Sequence, residues 1–248
     1  MPELLGLPYS PWSEKARWAL EARGIVYDKR LYQPLLGELA LRKKLGKWSG
    51  IVSVPVLTDD DGRVVADSAE IARWADQRGD GPAMFPRGDE AEVERLIALS
   101  DRGLAAGRAL SLLKLLDDEQ GIREMVPRKL RGVPGTRQLA RTGIARTLRK
   151  YRGLRDRDAA HAALAGVLDE VRAALAKAPA STGVKTLLGR FTFADVAVTQ
   201  VLAFVEPPAF GLELASATRR SFCDDVLRER FADLVAWRDA LYDAYRPR

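Results

Sequence analysis

The pattern of this chain changes at one place. From Leu4 to Ala75, short apolar runs alternate with helical spacings. Beyond Gly79-Asp80-Gly81-Pro82 and Pro86-Arg87-Gly88 the strand signal fades and long helical patterns take over. A chain of 248 residues has room for two cores. The change predicts an α/β domain over residues 1–79, a linker over 80–89 and an all-helical domain over 90–248.

In the first part Leu4, Leu5 and Leu7 form a short apolar piece that stops at Pro8. Ser10 reads as the N-cap of a helix with Pro11 at its first position, where the missing N–H costs nothing, and Gly24 ends that helix. Strands are expected over Ile25–Tyr32, over Ile51–Thr58 with an interruption at Val54-Pro55, and over Arg63–Ala66 after the Asp59-Asp60-Asp61-Gly62 turn. Helices are expected over Leu35–Leu45 and from Asp67-Ser68 through Ala75. The early strand–helix–strand unit should be parallel and the turn-linked pair antiparallel. In the second part, helical patterns run over Glu90–Leu116, Ala159–Lys177, Thr192–Val205, Ala215–Arg228 and Phe231–Tyr245.

Composition excludes several chemistries. One cysteine, Cys223, rules out an intrachain disulfide, and one histidine, His161, leaves no Cys/His set for zinc, so no metal is expected. No Gly-rich phosphate loop or Ser-His-Asp set is visible, and the Asp59–Gly62 turn lacks the spacing of a calcium loop. No apolar run approaches a membrane span and the N-terminus lacks a signal pattern, so a cytoplasmic protein without membrane insertion is expected. The net charge of +6 is local in origin. Between Gly121 and Arg157 twelve basic residues face only Glu124 and Asp156, a local +10. Leu139, Ile144, Leu148 and Tyr151 fall near helical spacing among these arginines, which suggests an amphipathic helix or a loop with a solvated charged face. The same segment could serve an anionic partner, although its lack of interleaved aromatics argues against nucleic acid.

Three motifs carry a family resemblance. Ser10-Pro11-Trp12, followed by Arg17 and Ala19-Leu20, resembles the Ser-Pro-Phe start of the first helix in plant tau-type and related bacterial serine-type glutathione transferases. Val54-Pro55-Val56-Leu57, then Asp67-Ser68-Ala69-Glu70-Ile71, resembles the V-P-x-L and E-S-x-x-I elements of that superfamily. Thr192-Phe193-Ala194-Asp195 resembles its Ser/Thr-x-x-Asp capping box. The resemblance implies a thioredoxin-like N-terminal domain, an all-α C-terminal domain, a two-fold homodimer and a detoxifying transferase. Glutathione would be its co-substrate, joined to a small electrophile. The basic segment could bias the second-substrate pocket toward acidic electrophiles.

Residue roles follow from the resemblance. Ser10 would donate to the glutathione thiolate, with Tyr9 and Ser13 as competing hydroxyls and Trp12 beside them. A thiol of pKa about 8.5 is only about 3% ionised at pH 7, and lowering it by about 2 units needs roughly 2.7 kcal/mol. A helix N-terminus supplies about 0.3–1 kcal/mol and a hydrogen bond to a charged group about 1.5–3 kcal/mol, so the two together suffice. Val54, before a cis Pro55, would pair its backbone with the cysteinyl unit. Ser68 would hold the γ-glutamyl carboxylate, Asp67 would face its ammonium group, and Lys47 is a candidate for the glycyl carboxylate. The alternative is a non-catalytic protein on the same scaffold that acts on a protein or nucleic-acid partner through its basic segment.

Overall fold

The computed structural model describes residues 1–34, 36–126, 133–151 and 154–248. Its first part is a four-stranded mixed sheet of β1 (Glu3–Gly6), β2 (Asp28–Leu31), β3 (Val56–Thr58) and β4 (Val64–Ala66), in the order β2-β1-β3-β4. Three helices accompany it, α1 (Pro11–Ala22), α2 (Glu38–Leu45) and α3 (Ser68–Asp76). β1 and β2 are parallel and joined through α1, while β3 is antiparallel to both β1 and β4. The thioredoxin-like arrangement that the resemblance implies is what forms. At the β3–β4 turn, Asp59 accepts from the amides of Asp61 and Arg63 at 3.1 and 2.8 Å.

Three elements are shorter than their apolar runs suggest. β2 begins at Asp28 because Ile25 is used elsewhere: its N–H bonds the Leu20 carbonyl and closes the end of α1 over Gly24. Sheet pairing in β3 begins only at Val56, because Pro55 has no N–H to give a ladder and its peptide bond with Val54 is cis. α2 starts at Glu38, after Gly37, and Leu35 lies outside the described residues.

The second part is helical: α4 (Glu90–Asp117), α5 (Glu119–Met125), α6 (Thr136–Lys150), α7 (Arg157–Lys177), α8 (Phe193–Thr199), α9 (Ser216–Phe222), α10 (Asp225–Arg230) and α11 (Ala232–Tyr245). The single helix expected over Thr192–Val205 tightens into a 3₁₀ turn over Gln200–Phe204. A run of β-branched residues (Val196, Val198, Thr199, Val201) disfavours α-helix there, and the Thr199 hydroxyl takes the Val196 carbonyl at 3.0 Å. The helix expected over Ala215–Arg228 breaks at Cys223-Asp224, where Asp224 caps α10 by accepting from the Leu227 amide at 3.1 Å. The lysine of α4, Lys114, bonds both the Cys223 carbonyl and the Asp224 carboxylate across the break. α5 had no counterpart in the sequence reading; Asp118 caps it and Ile122 is its buried anchor.

α1 belongs to two cores at once. Ala16 and Leu20 pack with Leu4, Leu57, Ile71 and Trp74 against the sheet. Trp18 and Ala19 turn the other way, into the helical core. Trp18 is fully buried, meets Tyr242 edge-on at 4.5 Å and donates its indole N–H to the Tyr245 carbonyl at 3.1 Å. The 79–89 stretch is held in place as well, since Asp76 accepts from the amides of Met84 and Phe85 and Met84 is fully buried.

The capping box at α8 forms as its residues suggest. Asp195, fully buried, accepts from the Thr192 amide at 2.9 Å and the Leu187 amide at 2.8 Å. Losing a cap costs about 1 kcal/mol, and a buried N–H left unpaired costs about 1–3 kcal/mol. Asp195→Ala is therefore expected to cost about 3 kcal/mol by urea denaturation. A loss below about 1 kcal/mol would show that the box contributes only as a surface cap.

The basic segment forms α6, an amphipathic helix that buries Ile144 and Leu148 but leaves Leu139 exposed. Its charges are not simply solvated. Arg141 bonds Glu119 and the Leu116 carbonyl, while Arg146 and Lys150 reach Glu38 on α2 at 3.7 and 3.6 Å. α6 thus bridges the two parts of the chain. Arg128, Lys129, Arg131 and Arg152 lie outside the described residues.

Candidate active site

The sheet register collects the candidate residues at one end. Leu5 of β1 stands opposite Val56 of β3, and Val56 opposite Ala66 of β4. The chain therefore leaves β1 toward Ser10, enters β3 through Val54-Pro55, and leaves β4 into Asp67-Ser68 on the same side. Tyr32 ends β2 there too, with its N–H on the Gly6 carbonyl. Residues from four separate stretches are brought together by strand pairing alone.

Ser10 is the N-cap of α1, with extended backbone (φ −91°, ψ 123°). Its Oγ accepts from the Ser13 amide over a long 3.5 Å, and its own O–H has no partner among the described residues. Pro11 has no N–H and the Trp12 amide is an orphan of the first turn, so donors and the positive end of the helix dipole converge beside Ser10. Ser13 is committed to the fold: it is fully buried and its Oγ accepts from the Leu7 amide at 3.0 Å. Tyr9 keeps a free hydroxyl at the surface, and burial together with the neighbouring Tyr151 raises its pKa, so the phenol stays protonated.

The loop ahead of Ser10 is held from below by buried charges. Arg17 donates to the carbonyls of Leu7, Pro8 and Gly211 at 3.2, 3.2 and 2.9 Å. It also pairs with Glu14, which has no exposed surface. The second oxygen of Glu14 takes Arg246 at 2.7 Å, and Arg246 continues to Glu21. Gly211 has φ +91°, and a Cβ there would strike the Glu14 carboxylate. Both domains thus hold the turn that carries Ser10.

At α3 two features stand out. Asp67 is the one non-glycine residue with positive φ among the described residues (φ 82°, ψ 142°), a conformation costing about 1–3 kcal/mol. One of its oxygens accepts from the Ala69 amide at 2.8 Å, so only the other is free for a ligand. Ser68 is 1% exposed and its Oγ has no hydrogen-bond partner, one of very few such buried side-chain atoms among the described residues. Buried hydroxyls are normally satisfied. Val54 is half-buried, and neither its N–H nor its C=O bonds another described residue. Lys47 is exposed in the loop after α2, and its amino group has no partner among the described residues. The described residues hold no group of three His, Cys, Asp or Glu side chains able to bind a metal, and no helix long and apolar enough to cross a membrane.

Residues 9–78, which contain Ser10, Lys47, Val54, Asp67 and Ser68, match the family model for the glutathione S-transferase N-terminal domain. Over this stretch the chain is similar to the N-terminal domain of glutathione S-transferases. A probable glutathione S-transferase of Solanum tuberosum is 28% identical over 141 residues, covering 47% of this chain and 60% of that protein's length. The fold of the whole chain is similar to that of solved glutathione transferases. A glutathione transferase of Phanerochaete chrysosporium superimposes with a TM-score of 0.64 over 100% of this chain and 98% of its own, at 19% identity. A glutathione S-transferase of Ceriporiopsis subvermispora, crystallised with glutathione, gives a TM-score of 0.64 at 17% identity over 100% and 98%.

The helical part also places near Ser10 residues that the sequence did not single out. Arg108 of α4 lies under the ring of Trp12, its guanidinium carbon 4.6 Å from the ring centre, and 3.8 Å from the centre of Tyr151 at the end of α6. The available signal was a lone arginine in the otherwise uncharged run Leu104–Leu113 of α4.

Proposed function

We propose that this chain is a glutathione transferase that joins the glutathione sulfur to a small electrophile. In this reading Ser10 donates to the thiolate, and the backbone of Val54 pairs with the cysteinyl unit as an added strand. Ser68 and the N-terminus of α3 hold the γ-glutamyl carboxylate. The free oxygen of Asp67 faces the ammonium group, and Lys47 neutralises the glycyl carboxylate. The chemistry is one displacement or addition: a C–S bond forms, and a leaving group departs with its electron pair or the neighbouring carbon takes a proton. The protein's part is to keep the sulfur ionised and aimed.

The observation that carries this reading is the convergence of unpaired polar groups at one end of the sheet: the Ser10 hydroxyl, the Val54 backbone and, beside the strained Asp67, the Ser68 hydroxyl, which must turn outward to meet a ligand. An unpaired donor at a helix N-terminus is suited to an anion. The test separates binding from folding. Ser68→Ala should leave the stability unchanged or raised, because it removes a hydroxyl that bonds nothing in the protein. The same change should weaken glutathione about 10-fold or more by calorimetry, the value of a lost hydrogen bond to a charged group. Unaltered affinity would remove Ser68 from the site. Failure of the wild type to bind millimolar glutathione would remove the whole reading. A two-fold homodimer, cytoplasmic residence and a detoxifying role belong to the same proposal; the exposed side chains of Leu39 and Trp48 are apolar surface that a second copy would cover.

A further inference from the structure

Arg108 has no counter-charge. It makes no hydrogen bond and no ion pair with any described residue, and the residues outside the described set (35, 127–132, 152 and 153) contain no acid. Burial lowers its pKa, and no carboxylate opposes that shift. A half-buried arginine is ordinarily paired, since an ion withdrawn from water without a partner is costly. Other buried cations of this chain obey the rule: Arg17 and Arg246 share Glu14, and Lys15 has Asp101 at 2.9 Å.

What holds Arg108 is aromatic. Trp12 and Tyr151 lie over its guanidinium at 4.6 and 3.8 Å. Rings satisfy the faces of a guanidinium but not its in-plane N–H donors, which form a fork matched to a carboxylate. None of its nitrogens is among the sealed, unpaired atoms of the structure, so these donors still reach solvent. Trp12 is two residues beyond Ser10, and Tyr151 stands by Tyr9, whose hydroxyl is also free. The donors are therefore exposed beside the N-terminus of α1.

We propose that Arg108 recognises a carboxylate on the second substrate, so that the preferred electrophiles are planar, acidic ones seated against Trp12 and Tyr151. The proposal rests on the transferase reading for its setting but not for its test. Calorimetry with 3,5-dinitrobenzoate and with its methyl ester, neither of which carries a ring chloride to displace, compares acid and neutral ligand without aromatic substitution. The wild type should bind the acid at least 10-fold tighter than the ester. Arg108→Gln should abolish that ratio, and Arg108→Lys, which keeps the charge but not the fork, should retain part of it. Equal wild-type affinities, or a loss in Arg108→Gln that falls alike on acid and ester, would overturn the assignment. If Arg108→Gln does not fold, the wild-type ratio and Arg108→Lys decide. Turnover of 4-chloro-3,5-dinitrobenzoate and its methyl ester with glutathione then separates the two readings. An Arg108-dependent preference in binding without turnover of either chloride removes the transferase reading and keeps this one. Turnover of both chlorides with no preference for the acid does the reverse.

Discussion

Glu14→Ala is expected to cost about 3–5 kcal/mol of stability, because it leaves the buried Arg17 without a carboxylate and Arg246 with Glu21 alone. Glu14 has no exposed surface and is the acid shared by Arg17 and Arg246, both under 10% exposed. For a chain of this size each kcal/mol lowers the melting temperature by about 2–4 °C, so a drop on the order of 10 °C should appear in a thermal scan. The loss should also reach the site. Arg17 ties the Leu7 and Pro8 carbonyls to Gly211, and without its acid the turn that carries Ser10 loosens. Glu14→Gln keeps the shape and acceptor oxygen and should fall between wild type and alanine. A melting temperature within about 2 °C of wild type for Glu14→Ala would mean that water reaches the cluster and that the two domains are not held together through it.

Ser10→Ala is expected to lower kcat/KM for conjugation by about 10- to 100-fold, the value of a hydrogen bond to a charged group. The binding of glutathione should change far less, because its contacts in the proposal lie at Val54 and Ser68. The apparent pKa of the pH–rate profile should rise by about 1–2 units, since the dipole of α1 alone leaves the thiol largely protonated at neutral pH. Ser10→Thr, which retains a hydroxyl, should recover part of the rate. Equal turnover by Ser10→Ala and wild type would transfer the role to the backbone amides of α1 or to the Tyr9 hydroxyl, and a Tyr9→Phe comparison would tell these apart.

Much of the candidate site was legible before any coordinates because its parts are locally encoded. Ser10-Pro11 and Thr192–Asp195 state their caps within four residues, and the Asp59–Gly62 turn states its hairpin. A proline inside an apolar run announces an interrupted strand. Where local signals failed, a distant partner had intervened: Ile25 was drawn into the α1 cap, and Lys114 stabilises the break between α9 and α10 from another helix.

The sequence by itself therefore determined the elements, their order and the residues that end them, since hydrogen bonds within a few residues of one another decide these. Only the tertiary structure decided which of those residues lack a partner. Ser68 reads as a cap and Arg108 as a surface charge until packing buries the first, half-buries the second and supplies no acceptor or acid. That distinction depends on groups tens of residues away: strand register collects Ser10, Val54 and Ser68, and the placement of α4 and α6 puts Arg108 between two rings. Burial is a property of the assembled chain, so the unsatisfied groups that point to function emerge only with the fold.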